Sequence, residues 1–597
     1  MRTEVLILRD RLEKIKYAKE LEIKKYGKSF NIMGIAKLLL VLICVALIYF
    51  SFSSTFAFPI TLLCVASIAA LILLWLHHNT VYERLSRSKG ILDIVSRHIK
   101  RLSGEWTGFE DNGSELSDYD HPYSGDLDIV GSKSFFQFLN TTSTWHGRRA
   151  FASDLLDPSY NISELKARQG AIAELSKDID FANDIEYCLS QIGVDSSADR
   201  LVEHLSDNTA FIKNRAAKII ISCLPATTLV FIMAALLFGQ TSLYSACAVI
   251  VVLQVLAWIV GWNKTHKYTG AILHVSYKLG AYGAAIEKLC AKEHSSEKLV
   301  RINTELSGAD KAFKELGGIA DMIRVNHNGI LYLALNVFLL WDYQCAFAMQ
   351  EWKNKYAGHA EKWFKTLGEF ESLLCLSHLP LVCNGTSMPL FSHSDGIIHT
   401  ENLGHPLISN KSRVSNSFNM DEEILIVSGS NMSGKTTFLR TVGINLVLAK
   451  SGGYVCASHM LCSLFNVSTS MRIADDLSEG VSTFYAEIKR IKSILDLAGE
   501  NTGTIFLIDE IFNGTNSVDR LEGAKTVISK LSELGASGLI TTHDLELCNL
   551  ENENKKVSNY SFSEYYTDND IHFDYTLRNG KSKTTNAKVL MKMIGIN

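Results

Sequence analysis

Two pairs of uninterrupted apolar runs divide an otherwise mixed chain. Gly34 to Phe50 and Ala57 to Leu76 each approach the ~20 residues that cross a hydrocarbon core. The segment between them, Ser51 to Phe56, carries no charge, which predicts a tight hairpin of two membrane spans. Before it stand Arg2, Arg9, Arg11, Lys14, Lys16, Lys19, Lys24, Lys25 and Lys28, so the excess of basic residues places both hairpin ends in the cytoplasm. Lys37 lies near the end of its helix, where its ammonium can reach the headgroups. Ile219 to Phe238 and Leu243 to Trp262 repeat the pattern around uncharged Gly239 to Ser242, flanked by Lys213, Arg215, Lys218, Lys264 and Lys267. Pro225 is tolerated where neighbours satisfy the freed carbonyl, and Trp258 and Trp262 suit an interfacial belt. Four spans put both termini on the cytoplasmic side of what is expected to be a bacterial inner membrane. Buried helices of a soluble core are the alternative reading.

A shorter apolar stretch, Gly329 to Trp341, runs straight into Asp342, whose charge costs ~2.5–3.5 kcal/mol near a bilayer centre, so a soluble helical core is expected for it. The basic leader spaces Val5, Leu6, Leu8, Leu12, Ile15 and Tyr17 in heptad fashion. This predicts an amphipathic helix on the bilayer surface or against a partner, and the lack of a small-residue cleavage site argues against a signal peptide. Asp126 to Asn208 and Thr265 to Leu379 show helical periodicity with few prolines, so the second hairpin reads as an insertion between two blocks that pack together. Ser103 to Tyr123, rich in Gly, Ser, Asp and Glu, reads as a linker.

At 597 residues the chain allows about three or four folding units. Hydrophobic residues at 47% exclude a disordered chain, and a net charge of −4 excludes the strong positive field of a dedicated nucleic-acid coat protein. The twelve cysteines are scattered, without a CxxC pair or histidines at zinc-like spacing, and read as buried thiols in a reducing compartment.

The chemistry lies towards the carboxy terminus. Ile424 to Val427 lead into Gly429, Ser430, Asn431, Met432, Ser433, Gly434, Lys435, Thr436 and Thr437 and then a helical run, which is the GxxxxGK[ST] pattern in its strand, loop and helix setting. In that pattern backbone N–H groups cradle phosphates, Lys435 neutralises the β and γ oxygens, and the Thr436 hydroxyl ligates Mg2+. Thr504 to Ile508 form a buried strand ending in Asp509 and Glu510. Asp509 is expected to hold Mg2+ and Glu510 to orient the attacking water of ATP hydrolysis. Gly538 to Thr542 predict a further strand, and His543 at its end is placed to sense the γ-phosphate. Lys435, Glu510 and His543 are thus the candidate catalytic residues.

The sequence resembles the MutS family of ATPases, in the ATP-binding cassette superclass. Gly404, His405 and Pro406 resemble its histidine-proline element, and Asn431 and Met432 its asparagine-methionine. Asp475, Asp476, Leu477, Gly480, Ser482, Thr483 and Phe484 match the signature that, by resemblance, reaches across a homodimer, so Ser482 and Thr483 join the nucleotide-binding residues. Asp509, Glu510, Gly514 and Thr515 match the acidic strand and following loop. Asp126, Leu127, Asp128 and Ile129, with Gly147 and Arg168, resemble the start of the family's core helical domain. The mismatch-probing Phe-x-Glu has one match, Phe562 and Glu564, in the carboxy-terminal region, where chance explains it. A membrane hairpin stands where the family inserts its DNA clamp, and no mismatch-reading domain fits residues 1 to 120.

The expected fold is multidomain, α with α/β: a leader (1–33), a transmembrane hairpin (34–77), a juxtamembrane linker (78–123), helical core (124–213), a second hairpin (214–263), helical core and lever (264–380) and a phosphate-loop ATPase domain (381–597). The expected function is a membrane-anchored ATPase using ATP and Mg2+ as a homodimer, with the lipid bilayer as a partner and DNA as a candidate one. The alternative is a transporter of the ATP-binding cassette kind or a membrane-remodelling ATPase without a DNA role. No adenine-stacking side chain is evident before the phosphate strand.

Overall fold

The computed structural model describes residues 2–53, 57–118, 120–194, 203–205, 211–212, 214–273, 276–430, 432–472, 483–500, 503–512, 517–567 and 570–582. Two helices, Arg2–Ser53 and Ala57–Ser103, run antiparallel along one another. At 52 and 47 residues they are about 78 and 70 Å long, more than twice a ~30 Å hydrocarbon core. The leader and the first apolar run are therefore one continuous helix. Its heptad face finds its partner inside the chain: Leu12 is fully buried with Ile91 and Val95, beside Ile15, Ile99 and Leu102. The helix predicted to end with the second apolar run continues to Ser103 for the same reason.

Beyond Ser103 the segment expected as a linker folds onto the helical body. Trp106 is buried and sits 5.1 Å from the Phe138 ring, and Asp111 pairs with Arg148 at 2.8 Å. Composition reported the turns correctly but not the tryptophan that anchors them.

The two helical blocks pack together as expected. Lys292 reaches Asp178 at 2.5 Å, Lys298 reaches Glu164 at 2.6 Å, and the 37-residue helix Trp341–Ser377 lies along Trp145–Leu156. Glycines permit that approach: a Cβ on Gly368 would stand 2.7 Å from the His146 carbonyl. Thr144 caps the shorter helix by accepting from Gly147 N at 2.9 Å, and Glu371 holds that cap, accepting from Ser143 N at 2.8 Å, from Thr144 N at 3.2 Å and from the Thr144 hydroxyl.

Helices Arg215–Phe238 and Thr241–Leu273 form the second hairpin, with Phe211, Leu340, Tyr343 and Phe347 packed at its base. In all, four helices of the described residues are long and apolar enough to cross a membrane. Gly329–Leu339 departs from expectation. It does not enter the soluble core; Ile330 is 87% exposed, and the helix lies against the second hairpin. A 78° bend at Leu340, whose φ is +50°, separates it from the long helix. Asp342, just past the bend, accepts from Trp258 Nε1 (3.0 Å) and the Tyr332 hydroxyl (2.6 Å). The charge that argues for a soluble environment is thus satisfied jointly by Trp258 of the hairpin and Tyr332 of the short helix, and periodicity does not identify which apolar surface the helix seeks.

Among the described residues the carboxy-terminal part carries two sheets. The smaller runs β1 (Leu390–Phe391), β5 (His459–Cys462), β2 (Ile397–Leu403), β3 (Asn416–Asp421). The larger runs β10 (Asp570–Asn579), β9 (Val557–Thr567), β4 (Ile424–Ser428), β8 (Ser537–Thr542), β7 (Thr504–Ile508), β6 (Asn466–Ser470). All of its pairs are parallel except β10 with β9. β4, β7 and β8 are buried throughout, as expected for parallel strands covered on both faces.

Burial pushes the Glu371 carboxyl up to about 7 against its three hydrogen bonds. The native chain therefore keeps a proton that the unfolded chain releases near its ordinary value, so this group makes stability fall as pH rises from about 4.5 to about 7. Glu371→Gln should flatten that slope while retaining the helix cap, as measured by denaturation midpoints across this range; an unchanged slope refutes the assignment.

Candidate nucleotide site

The register of the large sheet brings the three predicted segments together. Val427 and Ser428 of β4 pair with Thr541 and Thr542 of β8, and Ile508 of β7 pairs with Ile540. The loop after β4, the acidic pair after β7 and His543 after β8 therefore emerge side by side at the carboxyl ends of parallel strands, where open α/β sheets bind ligands.

The loop's glycines are required locally. At Gly434 φ is +103°, and a Cβ would stand 3.0 Å from the Tyr575 ring; at Gly429 a Cβ would stand 2.9 Å from both the Phe562 carbonyl and Ser433 Oγ. Met432 also takes a left-handed conformation, with φ +67°, and its side chain points out. Lys435 opens the helix Lys435–Lys450 and donates to the carbonyls of Gly429 (3.0 Å) and Ser430 (2.9 Å). Burial lowers the pKa of its ammonium, opposed by Glu510, Asp509 and Glu564. Thr437 lines the adjoining pocket.

Asp509 ties three elements. Its Oδ2 accepts from Thr436 Oγ1 at 2.8 Å and its Oδ1 from the Thr541 hydroxyl, so the helix after the loop, β7 and β8 meet on one carboxylate. Thr436 and Asp509 present hard oxygen donors side by side, which suits Mg2+. Glu510, held at φ +50°, donates its N–H to Thr541 Oγ1 at 3.0 Å. Its carboxylate meets His543 Nε2, while His543 Nδ1 lies 2.9 Å from the Gly429 carbonyl. A carbonyl only accepts, so Nδ1 carries a proton and the ring is fixed between loop and acid.

Beside the loop opens a pocket of about 430 Å³, lined among others by His405, Ile408, Phe562 and Tyr575. That volume lies within the ~300–1,000 Å³ of small-molecule sites. Phe562 is buried and packs 5.8 Å from the Phe438 ring, and Glu564 accepts from Ser430 Oγ at 2.8 Å. The apparent Phe-x-Glu is thus part of the loop's surroundings. Burial brings His405 down to about 4, so it faces the pocket as a neutral ring. Sequence reading missed Phe562 and Tyr575 as pocket walls because β9 and β10 follow the loop by more than a hundred residues and join it only through the sheet.

Asn431, Ser482 and the segment 473–481 lie outside the described residues, as do Gly514 and Thr515. Thr483 opens the helix Thr483–Glu500, its side chain likewise outside them. From that helix Glu487 accepts the backbone N–H of Phe512, two residues past Glu510.

The helical body grips this site directly. Asp126 accepts from Thr469 Oγ1 (2.6 Å), Met471 N (3.1 Å) and Arg472 N (2.9 Å) at the end of β6. Asp128 pairs with Arg472 (2.6 Å) and with Arg440 of the loop's helix (3.2 Å). Fully buried Arg168 donates to Ser451 O at 2.9 Å, at that helix's other end, and pairs with Asp154. Asp126→Ala should cost about 3 kcal/mol, since it strips a charged acceptor from two backbone N–H groups and a buried hydroxyl; chemical denaturation measures it, and a loss below about 0.5 kcal/mol would refute the clamp.

Comparison with known proteins agrees with this arrangement. The family description MutS domain III matches residues 121–256 and MutS domain V matches residues 425–596. The DNA mismatch repair protein MutS of Aquifex pyrophilus is 33% identical over 198 residues, covering 32% of this chain and 23% of that protein. The protein of the same name from Staphylococcus epidermidis is 30% identical over 247 residues (40% and 28%), and that from Clostridium tetani 33% over 235 residues (37% and 26%). The chain thus spans about a quarter of the length of the curated relatives it matches. With its helical clamp and its loop-bearing sheet each matched in chain order, the chain belongs to the MutS family.

Proposed function

We propose that this chain is a membrane-anchored ATPase of the MutS family that hydrolyses ATP as a homodimer and passes the resulting motion to its two apolar hairpins. The observation that carries the reading is the single cluster formed by Lys435, Thr436, Asp509, Glu510 and His543 against the glycine loop. Lys435 exchanges the loop carbonyls for phosphate oxygens when nucleotide enters. Thr436 and Asp509 hold Mg2+, which when bound offsets the charge of the β and γ oxygens. Glu510 orients the attacking water and His543 holds that carboxylate beside the γ-phosphate position. The pocket beside Phe562 and Tyr575 takes the base. Ser482 and Thr483 of each subunit complete the site of the other.

The long helix Trp341–Ser377, about 55 Å, is the lever. At one end the Tyr343 hydroxyl donates to Ala257 O of the second hairpin at 3.0 Å; at the other Leu376 packs within 3.4 Å of the position a Gly453 Cβ would take, beside the loop's helix. Membrane anchoring is supported by the exposure of Leu73 at 68%, Leu237 at 74% and Val260 at 83%, because leaving each such side chain in water forgoes ~1.5–3 kcal/mol. The relatives are named for DNA mismatch repair, which makes DNA the ligand to set against a bilayer output.

Lys435→Ala should weaken ATP binding at least tenfold in a nucleotide titration. Glu510→Gln should keep binding but lower turnover by about 10²–10⁴-fold and accumulate a nucleotide-bound dimer in light scattering; a monomer with ATP demonstrably bound would refute the dimer. The full chain should float with lipid vesicles and resist alkaline extraction, and free solubility would remove the membrane reading. Turnover stimulated by duplex, mismatched or branched DNA would assign a nucleic-acid output, whereas indifference to all three would assign a membrane one.

A further inference from the structure

Three side chains that the nucleotide site does not use converge inside the helical body. His98 comes from the carboxy-terminal part of Ala57–Ser103, Glu186 from Ile179–Ser190, and His378 from the turn directly after Trp341–Ser377. All three are buried, at 0%, 1% and 1% exposure. Glu186 Oε2 lies 4.0 Å from His98 Nε2 and 3.9 Å from His378 Nε2, and the three atoms all fall within 4.8 Å of one another. Among the described residues none of these atoms has a hydrogen-bond partner. One buried polar atom left unpaired costs about 1–3 kcal/mol, so three facing one point call for an occupant.

The far sides of the same groups are engaged. His378 Nδ1 lies 3.4 Å from Thr141 Oγ1, and Arg97 Nη2 reaches Glu186 Oε1 at 3.4 Å, which leaves Oε2 for the gap. Arg101 donates to the carbonyls of Phe138 (2.6 Å) and Asn140 (2.9 Å) and lies 3.4 Å from His98 Nδ1. Burial keeps both rings neutral, His378 down to about 3, which is the state in which imidazole binds metals.

We infer that His98, Glu186 and His378 form a binding site for a divalent transition-metal ion of the zinc class. A point equidistant from three atoms at these separations is at most about 2.5 Å from each, so inward shifts of about 0.4 Å reach zinc–nitrogen length. A water at ~2.8 Å would instead sit out of their plane. Two imidazoles with one carboxylate favour a borderline ion over Mg2+ or Ca2+. Arg97 and Arg101 are the positive groups facing the site; burial raises the Glu186 carboxyl and the two arginines oppose that shift, with Asp93 and Glu371 the further acidic groups that act on it. Ligation through Nε2 leaves the His98 ring proton on Nδ1, so the contact with Arg101 opens on loading while the two carbonyl bonds of Arg101 stay. A bound ion would lock the stalk of the first hairpin to the helical body and to the end of the long helix.

The test uses the full-length chain purified in detergent without a metal-affinity tag, loaded with ZnCl2, desalted and analysed for metal. About one zinc per chain is expected, falling at least tenfold in His98→Ala and His378→Ala, with retained ATP binding as the control for folding. Cobalt loading should give ligand-field absorption that shifts in Glu186→Gln. A native chain that retains no zinc and shows no such absorption holds water there, which overturns the proposal, as does stoichiometric zinc persisting in the double histidine variant. Should the alanine variants fail to fold, the cobalt spectrum of the native chain decides by itself: bands without imidazole character overturn the site.

Discussion

One carboxylate makes the helical body and the large sheet a single mechanical object. Asp126 takes up a hydroxyl and two backbone N–H groups at the point where β6 ends, from a position 343 residues earlier in the chain than Thr469. Those N–H groups have left the sheet ladder and are half-buried, so a shift of the chain after β6 relative to the helical body breaks two charge-assisted hydrogen bonds and leaves the buried Asp126 carboxylate short of donors. The helix that follows the glycine loop is held at both ends by the same body. Arg440 meets Asp128 near its start, and Arg168 meets the Ser451 carbonyl at its end, where a guanidinium also suits the helix dipole.

This clamp determines how a change at the site can travel. Asp509 receives hydroxyls from two neighbouring elements, and Glu510 and His543 brace each other across the loop. The helix from Lys435 to Lys450 contacts each of these groups' elements, and Arg168 and Leu376 place it beside the long helix Trp341–Ser377, the path that the proposed ATPase would use. Its far end contacts the second hairpin through Tyr343, and the turn that follows it carries His378, beside the stalk of the first hairpin. Both apolar hairpins are therefore joined to the same rod, one at each end. In the proposed ATPase, that rod links nucleotide state to helices seated in lipid.

Several departures from the sequence reading share one cause. The leader, the segment after Ser103 and the helix Gly329–Leu339 each carry a legible local pattern, and each packs against a partner that the local pattern does not name. Leu12 pairs with Ile91 and Val95, Trp106 with Phe138, and the short apolar helix with the second hairpin. Periodicity states that a face is apolar; it does not state against what that face will pack.

The sequence alone determined the elements whose chemistry is contiguous. The loop from Gly429 to Thr437, the strand ending in Asp509 and Glu510, and the four long apolar runs need only neighbouring residues to be legible, because backbone conformation and hydrophobic length are local properties. Tertiary structure alone decided what lies across space: Phe562 and Tyr575 as pocket walls, Asp126 on the end of β6, and His98, Glu186 and His378 around one buried point. Those groupings arise from strand order and helix crossing, which depend on the sum of many distant packing contacts and leave no signature in the spacing of the residues they unite.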